Sequence, residues 1–316
     1  MKLSKLVLIP SLFALVSAAA LVAGPPANGG TPADGVPVKM TVTASVDKGR
    51  RAPAIEKSDV FVKQGNEMLR VMEWQPAKGD RAGLELFLLI DDASTSGLGS
   101  QLNDLRGFLQ ALPPTTAVGV GYARNGTVDI RQDFTNDHDL AAKALRLPLN
   151  TPGAFGSPYL SLSNLMKRWP DTANRREVIL VTDGIDRAGR ARNAMMNPDV
   201  ETAASVAQKT GTLIHSIYFP GVGHRHRNWF EAINGQNAMA KLADYTGGEC
   251  YFLGREEPVA FAPYLEELRT VLDNQYLLTF SVKPEKKAGL QYVRVGTEVA
   301  GVDFNSADAV WAPAAK

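Results

Sequence analysis

The sequence predicts an α/β fold: a doubly wound, mostly parallel sheet with a small β module contributed by both ends of the chain. Three observations carry this. Across residues 82–273, short apolar runs alternate with amphipathic stretches of helical length, the rhythm of parallel strands joined by crossover helices. Residues 38–80 and 274–316 instead alternate apolar and polar positions in short runs, the period of half-buried strands. The chain has 316 residues, 45% of them apolar, which suffices for one sizeable core and a smaller unit.

The chain opens with "MKLSKLVLIPSLFALVSAAALVAG": a basic start, an apolar middle and small residues at the end. That layout predicts a signal peptide over residues 1–23, cleaved between Ala18 and Ala23. Pro10 and the alanines keep the strongly apolar run below the roughly 20 residues a spanning helix needs. The expected product is therefore exported, to the periplasm or the medium, with no membrane span in the mature chain. Residues 24–37, rich in Gly and Pro, read as a linker. Strands are expected near 38–46, 59–64 and 67–74, with "KQGNE" as a hairpin turn. So small a β unit needs a partner. "QYLLTFSVKPE" and "LQYVRVGTEVAGVDF", read as strands at 275–284 and 290–300, supply one. The two terminal segments, 38–80 and 274–316, are thus expected to build one module around an inserted domain at 82–273.

Inside that domain "LELFLLI", "AVGVGYA", "REVILVTDG" and "TLIHSIYF" read as strands. "SQLNDLRGFLQAL", "SPYLSLSNLMKRW", "DVETAASVAQKTG", "NAMAKLADYTGG" and "PVAFAPYLEELRTVLDN" read as helices. "FPGVGHRHRNWFEAINGQN" reads as a long loop. The net charge is +1, from 34 basic and 33 acidic residues. Without Lys2 and Lys5 of the leader the balance is 32 to 33, or −1. Such a chain gives no electrostatic reason to expect nucleic acid or an anionic membrane as partner. Cys250 is the only cysteine, so no intrachain disulfide forms; it reads as a small buried residue.

In doubly wound sheets ligands sit at the carboxyl edge of the strands. The strand "LELFLLI" runs at that edge into Asp91, Asp92, Ser94, Thr95 and Ser96. Asp92, Ser94 and Ser96, spaced i, i+2, i+4, converge on one point in a turning loop. One carboxylate with two hydroxyls suits a hard divalent cation. "VILVTDG" brings Asp183 to the same edge, and Ser157, after Gly156, adds a hydroxyl from a third loop. The register from Asp91 would put Ala93 and Thr95 at the hydroxyl positions and lose one donor, so Asp92 is preferred. Ser94 and Ser96 also suit helix capping, and Asp183-Gly184 also suits a tight turn.

These residues resemble the metal-ion-dependent adhesion site of the von Willebrand factor type A (vWA) domain, a Rossmann-like fold. The match lies in D-x-S-x-S (Asp92, Ser94, Ser96), a Gly-Ser hydroxyl (Ser157) and T-D-G (Thr182, Asp183, Gly184). "MAKLADYTGGECYFL" resembles that fold's last helix and strand. The flanking β segments resemble the variant found in exported bacterial proteins, especially of acidobacteria. The resemblance implies a non-enzymatic binding or adhesion module. Its cation, Mg²⁺ or else Mn²⁺ or Ca²⁺, would be held by Asp92, Ser94, Ser96, Ser157 and Asp183 and capped by an exposed Asp or Glu of a protein partner. Two departures stand out: the family's third motif usually carries Thr where this chain has Ser157, with Thr151 as the fallback, and Asp91 precedes Asp92.

Two long basic loops leave the same edge, so Arg187, Arg190, Arg192, Arg225 and Arg227 are expected to ring the site, with Trp229 and Phe230 beside them. A basic rim with aromatic anchors around a cation favours an acidic partner segment or a glycan. The alternatives are an assembly domain without a working metal and a Mg-dependent phosphatase-like hydrolase. The hydrolase needs a second Asp two residues after its nucleophile; Ala93 or Ser94 stands there. No nucleophile elbow and no phosphate loop occurs. Of four histidines only His224 and His226 look placed for a site, and no further ligand lies at zinc spacing.

Overall fold

The computed structural model describes residues 35–46, 53–150, 156–187, 198–221, 229–252 and 257–315. The expected signal peptide and nearly all of the linker lie outside the described residues. The described elements belong to one compact unit, Asp34–Lys316.

The central sheet grows from continuous apolar runs. β5 (Leu84–Asp91), β6 (Thr116–Arg124), β8 (Arg175–Thr182) and β9 (Thr212–Tyr218) are buried along almost their whole length. That is the pattern of strands covered on both faces. With β7 (Thr127–Thr135) and β10 (Cys250–Tyr251) they form a six-stranded sheet in the order β10-β9-β8-β5-β6-β7. All neighbours run parallel except β7, which returns antiparallel to β6 at the edge. Counted from β5, the order is the 3-2-1-4-5-6 of doubly wound sheets, and it reverses between β5 and β8. The α/β, mostly parallel class read from the sequence is the observed one.

β5 shows how the layers are made. Leu86, Leu88 and Ile90 pack on one face, with Leu102, Leu105 and Leu109 of α1 (Leu102–Gln110) and Leu265 and Leu268 of α6 (Ala262–Asp273). Phe87 and Leu89 point to the other face, against α3 (Pro158–Arg168), α4 (Pro198–Thr210) and α5 (Trp229–Thr246). The two-residue period of a strand feeds both cores. Each fully buried leucine contributes roughly 1.5–3 kcal/mol. The short α2 (His138–Lys143) closes the first face with Ala141.

Strands from the two ends of the chain pair with one another. β1 (Val36–Val46) pairs antiparallel with β11 (Gln275–Val282) and with β14 (Val302–Ser306), and β11 pairs with β4 (Val71–Pro76). β2 (Val60–Gln64) lies between β3 (Glu67–Leu69) and β13 (Arg294–Thr297). β12 (Gly289–Tyr292) pairs with β15 (Ala309–Ala312). Trp74 stacks on Tyr276 with centroids 4.4 Å apart, and its indole N–H donates to the Ile55 carbonyl. Arg175 ties the module to the sheet, donating to the carbonyls of Ala82 and Leu272 and to the Gln275 side chain.

Three boundaries differ from expectation. The stretch 67–74 breaks at Arg70 into β3 and β4, which join different sheets. The expected strand at 290–300 is two short strands, with β14 and β15 beyond it. The loop expected through Asn237 is helical from Trp229 on, despite Gly235, because α5 packs on the sheet through Ala238, Met239 and Leu242. Tertiary burial outweighs the helix cost of one glycine.

Candidate functional site

β5 and β8 are hydrogen-bonded neighbours at the point where strand order reverses, so their carboxyl ends open the sheet's natural cleft. Asp91 is the last residue of β5 and is buried. Its Oδ2 accepts the Thr182 hydroxyl at 2.8 Å, and its Oδ1 accepts the Ala93 N–H at 3.0 Å. Asp183, just past β8, is also buried. Its Oδ1 accepts the Ile185 N–H at 3.0 Å and its Oδ2 the Gly221 N–H at 3.1 Å. Arg187, one helical turn's spacing further on, clamps the same carboxylate: Nη1 donates to Oδ1 at 3.1 Å and Nη2 to Oδ2. The same Nη1 lies 3.9 Å from Asp91 Oδ2, so one guanidinium serves two buried carboxylates.

The electrostatics follow. Burial pushes the Asp91 carboxyl up to about 6, the Asp183 charge adds to the rise, and Arg187 opposes it. Burial works against the charge on Arg187, but the Asp183 carboxylate outweighs it and holds the guanidinium above its ordinary value.

Glycines make the geometry fit. Gly184 has φ +72°, and a Cβ on it would strike the Gly235 carbonyl. A Cβ on Gly235 would strike the Asp183 carbonyl, so α5 lies backbone to backbone on the Thr182–Gly184 turn. A Cβ on Gly221 would fill the space of Arg187 Nη2 and Asp183 Oδ2. The Tyr159 hydroxyl donates to the Gly184 carbonyl at 2.9 Å and fixes the turn from the other side.

The structure divides the residues expected from sequence. Asp92 does not join Asp183. Successive residues at a strand end point to opposite sides, and Asp92 turns to the side opposite Asp91. There it accepts Arg146 Nη1 at 2.8 Å, Arg146 Nη2 at 3.1 Å and the Leu149 N–H at 2.8 Å. Arg146 in turn lies 3.8 Å over the Tyr122 ring. The preferred register is thus corrected: Asp91 faces the cleft, followed by Ala93 and Thr95. The Thr95 hydroxyl donates to Glu257 at 2.9 Å. Ser96 is exposed and opens a short 3₁₀ turn. Ser94 is buried and bridges to Gly221. Ser157 is buried at the start of α3 and lines a narrow cleft with Asp91, Ala123 and Asn125. The hydroxyls of Ser94 and Ser157 have no hydrogen-bond partner among the described residues.

Of the expected rim, Arg187 folds inward, with 17% of its side chain exposed. Trp229 is 62% exposed and meets Phe230 edge to face at 6.0 Å. Arg190, Arg192, Arg225, Arg227, Thr151, His224 and His226 lie outside the described residues. His215 is buried in β9: its Nδ1 accepts the Glu249 N–H, and its Nε2 donates to Glu177 at 2.8 Å. Burial lifts the Cys250 thiol to about 12, with the charges of Asp244 and Glu249 adding to it.

The fold resemblance implies a divalent cation, and the two open hydroxyls of Ser94 and Ser157 suit one. The carboxylates do not. Asp92 is bound to Arg146 on the far side, and each oxygen of Asp183 already takes one backbone N–H and one guanidinium N–H. As arranged, the residues do not fit the ion. Sequence reasoning placed Arg187 on the rim and missed its contact with Asp183. Residues 183–187 form no helix, so their i, i+4 spacing carried no signal of the contact.

No family model and no curated protein matches the chain. Among solved structures it is similar to an aerotolerance-related membrane protein from Bacteroides fragilis, at 12% identity and TM-score 0.42, over 60% of this chain and 99% of that one. It is similar to the conserved hypothetical protein BatB from Bacteroides thetaiotaomicron, at 14% identity and TM-score 0.38, over 59% and 95%. It is also similar to the SpRpn10 VWA domain, at 12% identity and TM-score 0.40, over 58% and 94%.

Proposed function

We propose that this chain, whose central domain is vWA-like in fold, is an exported, non-enzymatic module that binds a protein partner at the carboxyl edge of its sheet. The observation that carries this is the exposed pair Trp229 and Phe230 on the first turn of α5. That helix packs directly on the Asp183 turn. Aromatic anchors beside a buried charged cluster are the composition of a binding hot spot. The partner that suits this edge offers an apolar side chain to the aromatic pair and an exposed Asp or Glu to the basic residues that precede Trp229 in sequence, Arg225 and Arg227. Export rests on the leader's layout. Among the described residues no helix is long and apolar enough to cross a membrane.

The test is a photo-crosslinking residue at Trp229, and in parallel at Met68, which is equally exposed but lies on the β module. In the native host, discrete adducts from position 229 that are missing from position 68 support the proposal. Equal adducts from both positions, or none from 229, sink it.

A second reading keeps a divalent cation, Mg²⁺ first, presented to the partner's carboxylate. The unpartnered hydroxyls of Ser94 and Ser157 favour it. It requires Arg187 to leave Asp183.

A further inference from the structure

We infer that Arg187 is the built-in cation of this edge, standing where a divalent ion would stand and keeping the site closed to metal. The placement is specific. Arg187 reaches the carboxylates at the ends of two adjacent strands where strand order reverses, bidentate to Asp183 just past β8 and 3.9 Å from Asp91 at the end of β5. Those are the carboxylates that an ion in the cleft would have to bridge. The pocket is shaped for the guanidinium, since Gly221 lacks the Cβ that would occupy the place of Nη2. The guanidinium is held as a planar fork against both oxygens of Asp183, a match that lysine does not reproduce. The oxygen donors around it are incompletely used: Ser94 and Ser157 keep buried hydroxyls without partners among the described residues. Two carboxylates and two hydroxyls are a donor set for a hard divalent cation. The fixed positive charge excludes that cation by repulsion and by occupying the oxygens.

This deepens the docking proposal by naming how the edge is kept ready, namely without metal. Its test needs no partner, so the two proposals fail separately. The mature chain, freed of metal with a chelator, is titrated with Mn²⁺ and Mg²⁺ by calorimetry and melted with and without Mn²⁺. Wild type is expected to show no saturable binding and no shift in melting temperature. Arg187→Gln removes the charge and, being shorter, vacates the space of the guanidinium, and is expected to bind Mn²⁺ at one site. It should bind at least roughly tenfold more tightly than wild type, because a repelling unit charge at contact distance has gone. Its melting temperature should rise with Mn²⁺. Adding Asp183→Asn to Arg187→Gln should abolish both effects.

Wild type binding as tightly as Arg187→Gln overturns the inference, because the arginine then excludes nothing. Silence of a folded Arg187→Gln also overturns it, because the vacated space is then no cation site. Should Arg187→Gln fail to fold without metal, Mn²⁺ is expected to restore its folding by binding the native state, and failure of Mn²⁺ to do so overturns the inference.

Discussion

Asp91 and Asp92 are neighbours in the chain and partners of opposite sides: Asp91 takes the Thr182 hydroxyl at 2.8 Å, and Asp92 takes Arg146 at 2.8 Å. The peptide between them divides the cleft at the end of β5 and β8 from a structural clamp. Asp92, Arg146 and Tyr122 pin the 145–150 loop to the sheet's edge, with the Tyr122 hydroxyl exchanging hydrogen bonds with the Arg146 backbone. The cleft is left to Asp91, Asp183 and Arg187.

That clamp yields the first prediction. Arg146→Ala strands a fully buried Asp92 charge, whereas Asp92→Asn leaves a partly exposed arginine that water can reach. Removing one partner of a buried pair costs about 3–5 kcal/mol; with Arg146 partly solvated, roughly 2–4 kcal/mol is expected for Arg146→Ala and less for Asp92→Asn. Urea unfolding of the two variants checks the order.

Gly221→Ala tests the fit of Arg187. The added methyl collides with the guanidinium and with Asp183 at once, and overpacking of this kind costs roughly 1–3 kcal/mol. The loss should shrink when Gly221→Ala is combined with Arg187→Gln, and a double-mutant cycle measures the coupling.

The buried Glu177 sets an acid limit. Burial pulls its carboxyl upward, but the hydrogen bond from His215 and the charge of Arg175 outweigh it and hold it below its ordinary 4.5. Its ionised form therefore contributes stability that is fully present above pH 4.5 and is lost as pH falls through the lower folded value. Glu177→Gln should be less stable than wild type at neutral pH and lose less stability on acidification. Urea midpoints of both proteins across that range decide it.

Trp74 tests whether the β module and the α/β domain share one transition. Trp74→Ala removes the stack on Tyr276 and opens the core shared by β1, β4 and β11, at a cost of about 3–5 kcal/mol. Because Arg175 links the module to the sheet, circular dichroism and intrinsic fluorescence should still report a single, lowered melting point.

Cys250 should be chemically quiet. With its thiol raised to about 12 it carries almost no thiolate at pH 8. Cys250 is partly exposed, so a thiol reagent should label it in the folded protein, but far more slowly than it labels the unfolded chain.

The strands were readable because each is a continuous apolar run, and the helices because their apolar positions repeat at helical spacing. The site was readable in part. Asp183 and Ser157 stand at strand and helix boundaries that local pattern marks well. The choice between Asp91 and Asp92 depended on which residue ends β5, and a shift of one reverses a side chain's direction. What decides it is Arg146, 54 residues away, which no local pattern reveals. The early start of α5 was hidden for the same reason: Gly235 reads as a breaker until the turn it must press against is known.

That contact between Gly235 and Asp183 has a mechanical meaning. With no side chain between them, α5 and the strand-end turn have no cushion to compress, and Trp229 sits on the same rigid rod as the point of contact. A partner gripping the aromatic pair therefore meets a surface whose ordering was completed during folding. On this side the ordering cost of binding then falls on the exposed aromatic side chains and not on the backbone beneath them. Stiffness, rather than adaptability, is what this edge brings to an encounter.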